Sequence, residues 1–225
     1  RQRQMCIRDR TKIALISQEI YPFSKSSSLA RFCRKIVPYL RNENTEIKII
    51  MPKYGLINDR RHQLHEVIRL SGLQTSIDDE WYPLIVKVAS VNSIQAQVYF
   101  VENEKLFGRK ADWKDENGEF FIDNTERMLF LSMSAINLLK KLNFSPDIVL
   151  CAGWATYLLP IYSKLVGSLK VLDDSNFILI DGGDSFDGSI DQKILENEGI
   201  PTHQFKNRRE VDFDTLTALS LSHSC

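Results

Sequence analysis

Between Lys12 and Met51 an apolar run, a helix-spaced apolar stripe and a second apolar run follow one another directly, and few folds accept that succession. Lys12-Ile13-Ala14-Leu15-Ile16-Ser17 has the length and β-branched content of a buried strand, and Pro22 with a serine cluster closes the turn after it. Leu29, Phe32, Cys33, Ile36 and Leu40 then recur at three- and four-residue spacing, with Arg31, Arg34, Lys35 and Arg41 between them. One face of this helix is expected in the core. Pro38 inside the pattern predicts a kink or a second helical start, because it removes a backbone donor. Residues 46–51 form the second strand, stopped by Pro52. Strands joined by a helical crossover lie parallel, so the expected class is α/β with a doubly wound, mainly parallel sheet.

Further along, residues 67–70, 84–91 and 95–100 read as extended. The last two are separated by Asn92-Ser93 and are expected as an antiparallel hairpin insertion at the sheet edge. Residues 105–119 are polar and read as an exposed loop. A long helix apolar on more than one side is expected over 120–142, a buried strand over 147–151, and a helix through Leu158, Leu159, Tyr162 and Val166. A last strand, 176–180, ends at Asp181-Gly182-Gly183-Asp184, and two short helices follow. The chain opens with four arginines among its first ten residues and no apolar period, so 1–10 reads as an extraneous tail and 11–225 as one domain. A length of 225 residues suits one such domain.

With 43% apolar and 10% aromatic residues the chain can bury a core. Lysine plus arginine equals aspartate plus glutamate at 29 each, which removes the broad field of a nucleic-acid or membrane-surface binder. No nucleic-acid or membrane partner is expected. The longest uncharged run, 148–163, is shorter than the ~20 residues that span a bilayer. Cys6, Cys33, Cys151 and Cys225 form no C-x-x-C pair, and four histidines supply no zinc spacing. Reduced thiols in the cytoplasm are expected, with no metal and no cofactor.

In an open α/β sheet the ligand crevice lies beyond the carboxyl ends of the strands, which singles out residues 19–29, 51–55, 151–156 and 181–188. Lys25 could meet a phosphate or simply be solvated. Ser26, Ser27 and Ser28 could hold an anion or cap the helix. Asp123 could line the cleft or serve only as an acid at a helix start. Arg127 could bind phosphate or pair with Asp123 at i, i+4. Trp154 is expected to pack helix on sheet, and Arg60-Arg61 beside His62 and His65 to be a solvated loop. Cys151, in an apolar strand end, is no candidate nucleophile.

The order of motifs resembles that of bacterial glycogen synthases and plant starch synthases. Ser17-Gln18-Glu19-Ile20-Tyr21-Pro22-Phe23-Ser24-Lys25-Ser26-Ser27-Ser28-Leu29-Ala30 is similar to the family's S-x-E-x-x-P-F-x-K-x-G-G-L-A opening. Met51-Pro52-Lys53-Tyr54-Gly55 resembles its M-P-x-Y element, and Val98-Tyr99-Phe100-Val101-Glu102-Asn103 with Leu106-Phe107 its hairpin strand. Asp123-Asn124-Thr125-Glu126-Arg127 resembles its D-N-x-x-R helix start, and Pro146-Asp147-Ile148-Val149 precedes Trp154 and Pro160 in the family's order. The resemblance implies the N-terminal half of a GT-B glycosyltransferase: two facing Rossmann-like domains, with ADP-glucose and an α-1,4-glucan in the cleft between them. It implies substrate-binding roles for Lys25, Ser27, Ser28, Tyr54, Asp123, Asn124 and Arg127, and a C-terminal donor-binding domain that these residues do not include.

The departures bear on catalysis. Ser27 and Ser28 stand where the family has two glycines that let the backbone approach the sugar nucleotide, and Arg31 stands where it has an acid. Leu150-Cys151-Ala152-Gly153-Trp154-Ala155 replaces an H-x-H-D-W-H run, and Ile180-Asp181-Gly182 replaces I-H-N. No catalytic residue is assigned. The expectation is a synthase-like domain inactive as an isolated chain, or alternatively a non-catalytic glucan-binding or regulatory partner. One exposed cleft wall would leave an apolar patch, so self-association or a partner chain across the cleft is expected.

Overall fold

In the computed structural model, which describes residues 10–24, 27–165, 170–183, 186, 190–200, 210, 211, 217 and 220, strand β1 (Thr11–Ser17) lies inside the sheet. Ile13 through Ile16 are all buried, as a strand covered on both faces requires. It pairs in parallel with β2 (Thr45–Pro52) on one side and β7 (Ile148–Ala152) on the other. Beyond β2 lies β6 (Ala96–Glu102), and beyond β7 lies β8 (Asn176–Ile180), both parallel to their neighbours. The chain thus winds outward from β1 through β2 to β6, then returns to the other side of β1, and the winding reverses between β1 and β7. This is the doubly wound α/β sheet expected.

Three further strands extend the β6 side. β5 (Glu80–Val91) pairs antiparallel with β6, and β3 (His65–Glu66) and β4 (Leu73–Ile77) both pair antiparallel with β5, completing eight strands. The expected hairpin is present, its turn the 3-10 segment Asn92–Ile94. One of its strands has a larger role than expected, since β6 is itself the third parallel strand and only β3, β4 and β5 are added at the edge. The strand expected over 67–70 is instead a turn, with the pairing residues at His65–Glu66.

Helix α1 (Ser28–Leu40) continues through Pro38 and ends two residues later. Its inward stripe is Leu29, Ala30, Cys33 and Val37, whereas Phe32, expected in the core, is 45% exposed. Arg60 and Arg61 belong to the one-turn helix α2 (Asp59–His62), capped by the Asn58 side chain, and both are exposed. A ring of alternating charges holds this turn over the strand ends: Lys87 Nζ lies 2.7 Å from both Asp59 and Glu102, and Lys53 Nζ 3.1 Å from Asp59.

After the short helix α3 (Glu104–Phe107), α4 (Asn124–Lys141) forms the central crossover. It starts four residues later than expected, because residues 120–123 lie in the preceding loop. All of it is buried except Glu126, Asn137, Lys140 and Lys141. The cause is packing on two sides, against β2, β4 and β6 and against α5 (Leu158–Leu165). Pro160 is accommodated in α5 because it sits in the first turn, where its missing N–H has no intrahelical partner. Helix α6 (Gln192–Asn197) is one of the two short helices expected, and it is preceded by β9 (Ile190–Asp191), which pairs with β10 (Glu210–Val211). Residues 1–9, most of the expected tail, lie outside the described residues. Among the described residues no helix is long and apolar enough to cross a membrane.

Candidate functional site

The reversal between β1 and β7 places the turns after β1, β2, β7 and β8 at one end of the sheet. Gln18, directly after β1, is the central residue there and only 6% exposed. Its backbone N–H donates to the Ala152 carbonyl (3.0 Å), its side-chain Oε1 accepts from the Ala155 N–H (3.2 Å), and its carbonyl accepts from the Tyr54 hydroxyl (2.6 Å). Three turns therefore meet at one residue. Gly153 sits beneath it at φ +87°, and a Cβ there would collide with the Gln18 carboxamide. Gly153 N–H in turn donates to the Ile180 carbonyl (2.9 Å), tying in the end of β8.

The start of α1 is closed by its own neighbours. Ser27 caps the helix, its hydroxyl oxygen accepting from the Ala30 N–H at 2.9 Å while its proton goes to the Glu19 carboxylate at 2.5 Å. A carboxylate thus stands at the positive end of the helix, where an anion is stabilised. The Ser28 hydroxyl donates to the Gly182 carbonyl at 3.1 Å, bridging α1 to the turn after β8. Lys25 and Ser26 lie outside the described residues.

The other wall is built around α4. Asp123 does not cap the helix but takes two hydrogen bonds from the Arg109 guanidinium, one at 2.7 Å. The pairing of Asp123 with Arg127, one of the two roles expected for Arg127, does not occur. Arg127 turns inward and is fully buried, donating to Asn124 Oδ1 (2.8 Å) and to the Asp112 carbonyl. Its guanidinium carbon stands 4.5 Å from the Trp113 ring centre, with Phe107 and Phe121 beside it. Burial lowers the Arg127 pKa to about 10, with nearby Asp112 and Asp123 opposing that shift. Asn124 is equally buried and donates to the Trp113 carbonyl at 3.0 Å.

Tyr54 is buried as well, edge-on to Phe107 and Trp113. The glycine after it is sterically required, since a Cβ on Gly55 would meet the Gly108 carbonyl. From Trp113 an aromatic chain continues to Trp154 at 5.0 Å, which stacks on Phe186 at 4.4 Å. Trp154 is a packing residue, as its position after a buried strand suggested. The structure therefore places Ser27 and Ser28 at the start of α1 beside the turns after β1 and β8, Asp123 in its pair with Arg109 ahead of α4, and Tyr54, Asn124 and Arg127 in the buried layer beneath.

Few reactive groups stand in this crevice among the described residues. Burial pushes the Cys33 thiol up to about 11 and the Cys151 thiol higher still, and neither is a thiolate at neutral pH. Among the described residues no group of three or more His, Cys, Asp or Glu is placed to hold a metal ion. Sequence reasoning passed over Gln18, Glu19, Arg109 and Trp113. Gln18 and Glu19 stand inside the quoted opening motif, so position alone could have raised them, whereas Arg109 and Trp113 lie in a polar stretch that gave no signal.

Comparison with known proteins decides the family. A model of the starch synthase catalytic domain matches residues 12–222. The chain belongs to the starch synthase catalytic domain family. Within it, the glycogen synthases of Chlorobium limicola and Chlorobium luteolum are 39% and 37% identical to this chain over 156 residues, which is 69% of this chain and 32% of each of theirs. The chain spans about a third of the length of the curated relatives it matches. The catalytic domain of starch synthase IV from Arabidopsis thaliana, bound to ADP and acarbose, shares the fold with a TM-score of 0.75 at 18% identity, over 94% of this chain and 43% of that one. The starch synthase domain described here thus has the Rossmann-like architecture of a GT-B catalytic half.

Proposed function

We propose that this domain forms one wall of the cleft in which a glucosyl unit passes from ADP-glucose to an α-1,4-glucan, and that it is inactive as an isolated chain. The observation that carries this is the meeting of three turns at Gln18, its own after β1, the turn after β2 through Tyr54 and the turn after β7 through Ala155, at the point where the sheet winding reverses. Membership of the synthase family and the ADP and acarbose bound to its structural relative support the ligand classes. In this reading 11–225 is a single domain and the donor-binding domain is a separate unit, supplied in the cytoplasm by a longer protein or a partner chain. Ser27, Ser28 and Asp123 face substrate, Lys25 keeps the substrate-binding role that the family's opening motif gives it, and Tyr54, Asn124 and Arg127 hold the wall from beneath. Retaining glucosyl transfer needs preorganised polar groups around the developing charge. Residues 151–155 offer Cys, Ala, Gly, Trp and Ala, with the thiol and the indole both buried, which supports inactivity.

A second reading, a non-catalytic glucan-binding or regulatory partner, is favoured by Ser27 and Ser28. These serines stand where the family has two glycines, and their hydroxyls are bonded to Glu19 and to the Gly182 carbonyl, so the start of α1 offers a sugar nucleotide less bare backbone. Titration calorimetry with ADP-glucose and with maltoheptaose separates the two. Binding of the nucleotide sugar supports the first reading. Binding of maltoheptaose alone supports the second, and binding of neither removes both for this chain.

A further inference from the structure

The Gln18 carboxamide has one end engaged and one end free. The Ala155 N–H requires an acceptor, so the end 3.2 Å from it is Oε1 and the other is the amino group. Among the described residues Nε2 donates to nothing, yet it is not sealed in the core, since the 6% of Gln18 that stays exposed includes this atom. The residue is fixed at three other points, through its backbone N–H, its carbonyl and Oε1. Ala152, Gly153, Ala155 and Tyr54 around it are all buried, which leaves its open side toward the crevice. A donor held this way loses little freedom when it meets an acceptor.

Two of the departures from the family's motifs meet at this carboxamide. Gly153 stands at the aspartate of the H-x-H-D-W-H run and Ala155 at its last histidine. A Cβ on residue 153 would collide with Gln18 Cδ and Oε1, so the carboxamide fills the volume that a side chain at 153 would take. Polar chemistry lost from the turn after β7 is thus returned to the same place by the turn after β1. Its character differs. An ionised acid only accepts hydrogen bonds, whereas the free end of this carboxamide only donates them and carries no charge. A ligand that displaces water from Nε2 must offer it an oxygen or leave a donor unpaired, at a cost in affinity.

We propose that Gln18 Nε2 is a substrate-contacting group that donates a hydrogen bond to a hydroxyl oxygen of a glucopyranose unit in the crevice. An uncharged, fixed amide suits a neutral sugar oxygen, whereas phosphate oxygens are matched by guanidinium or ammonium groups. The assignment rests on the cleft reading above, and the glucose unit belongs either to an α-1,4-glucan or to the glucosyl group of ADP-glucose. NMR on the 15N-labelled full chain, titrated separately with maltoheptaose, ADP-glucose and ADP, distinguishes the two. The Gln18 side-chain NH2 signals are assigned by their loss in Gln18→Glu. These signals should shift saturably with maltoheptaose, with ADP-glucose or with both, and should stay in place with ADP. Gln18→Glu keeps an oxygen for the Ala155 N–H and removes only the donor, so it should weaken calorimetric binding of the same sugar by about tenfold. Gln18→Met gives the same loss without a charge, should the carboxylate disturb the fold. Sugar binding with the Gln18 signals unmoved, full affinity in the folded variants, or an equal shift with ADP would overturn the assignment and leave the cleft reading standing. Binding of neither sugar would remove both.

Discussion

The carboxamide of Gln18 lies over Gly153 so closely that residue 153 has no room for a Cβ, and the glycine holds φ +87° and ψ 153°, a region open essentially to glycine alone. Gly153→Ala therefore meets two penalties, the collision and the backbone conformation, together about 2–4 kcal/mol. In a Gln18→Gly background the collision is gone, so there Gly153→Ala should cost only the backbone strain, about 1–3 kcal/mol relative to Gln18→Gly alone. Urea denaturation of the two single variants and the double variant checks this. Equal stability of Gly153→Ala and the parent would contradict it.

Ser27 closes α1 through one hydroxyl. Ser27→Ala removes the cap on the Ala30 N–H and should cost about 1 kcal/mol, while Ser27→Gly, which restores the family's residue, should cost only a few tenths. Ordinary helix propensity ranks alanine above glycine, so this inverted order is diagnostic of the cap. Thermal unfolding of the two variants measures it.

Arg127 holds the loop before α4 from inside. Arg127→Met leaves Asn124 Oδ1 and the Asp112 carbonyl without their donor in a buried place, a loss of about 2–4 kcal/mol. Arg127→Lys should recover little, because an ammonium does not reproduce a planar fork reaching two separate acceptors. Trp113 fluorescence would report loosening of the loop alongside the denaturation midpoint.

Glu126 introduces a pH dependence of the less usual sign. Burial raises its pKa, and Asp123, Asp191 and Asp78 push it further in the same direction. An acid whose folded pKa is raised destabilises the protein above that pKa, and the penalty fades as pH falls through it to below the unfolded value of about 4.3. Glu126→Gln should accordingly raise the unfolding temperature at pH 7–8, and the gain should shrink toward pH 4. A gain that is constant across that range would show that charge is not the cause.

The parallel core was legible because β1 and β7 read as short apolar runs with few interruptions, and β2 does so from Ile49 onward, where it becomes fully buried. The edge was not. In β5, Pro83 and the exposed Glu80 and Trp81 disguise the first half of a twelve-residue strand, so only the half from Leu84 onward resembled one. Phe32 was misplaced because an aromatic at helical spacing reads as core, whereas the small Ala30 fills the inward position instead. In the site, the motif residues Ser27, Ser28 and Asp123 could be found by position. Their partners could not, since the Glu19–Ser27 and Arg109–Asp123 bonds join residues eight and fourteen apart through turns with no periodic signal.

Helix α4 is covered from Asn124 to Leu139 by the sheet on one side and α5 on the other. A beam clamped along both flanks transmits force without bending. Bending anywhere between residues 124 and 139 would therefore break packing on both flanks at once, so any give in this wall of the crevice is left to the loops at the two ends of the helix.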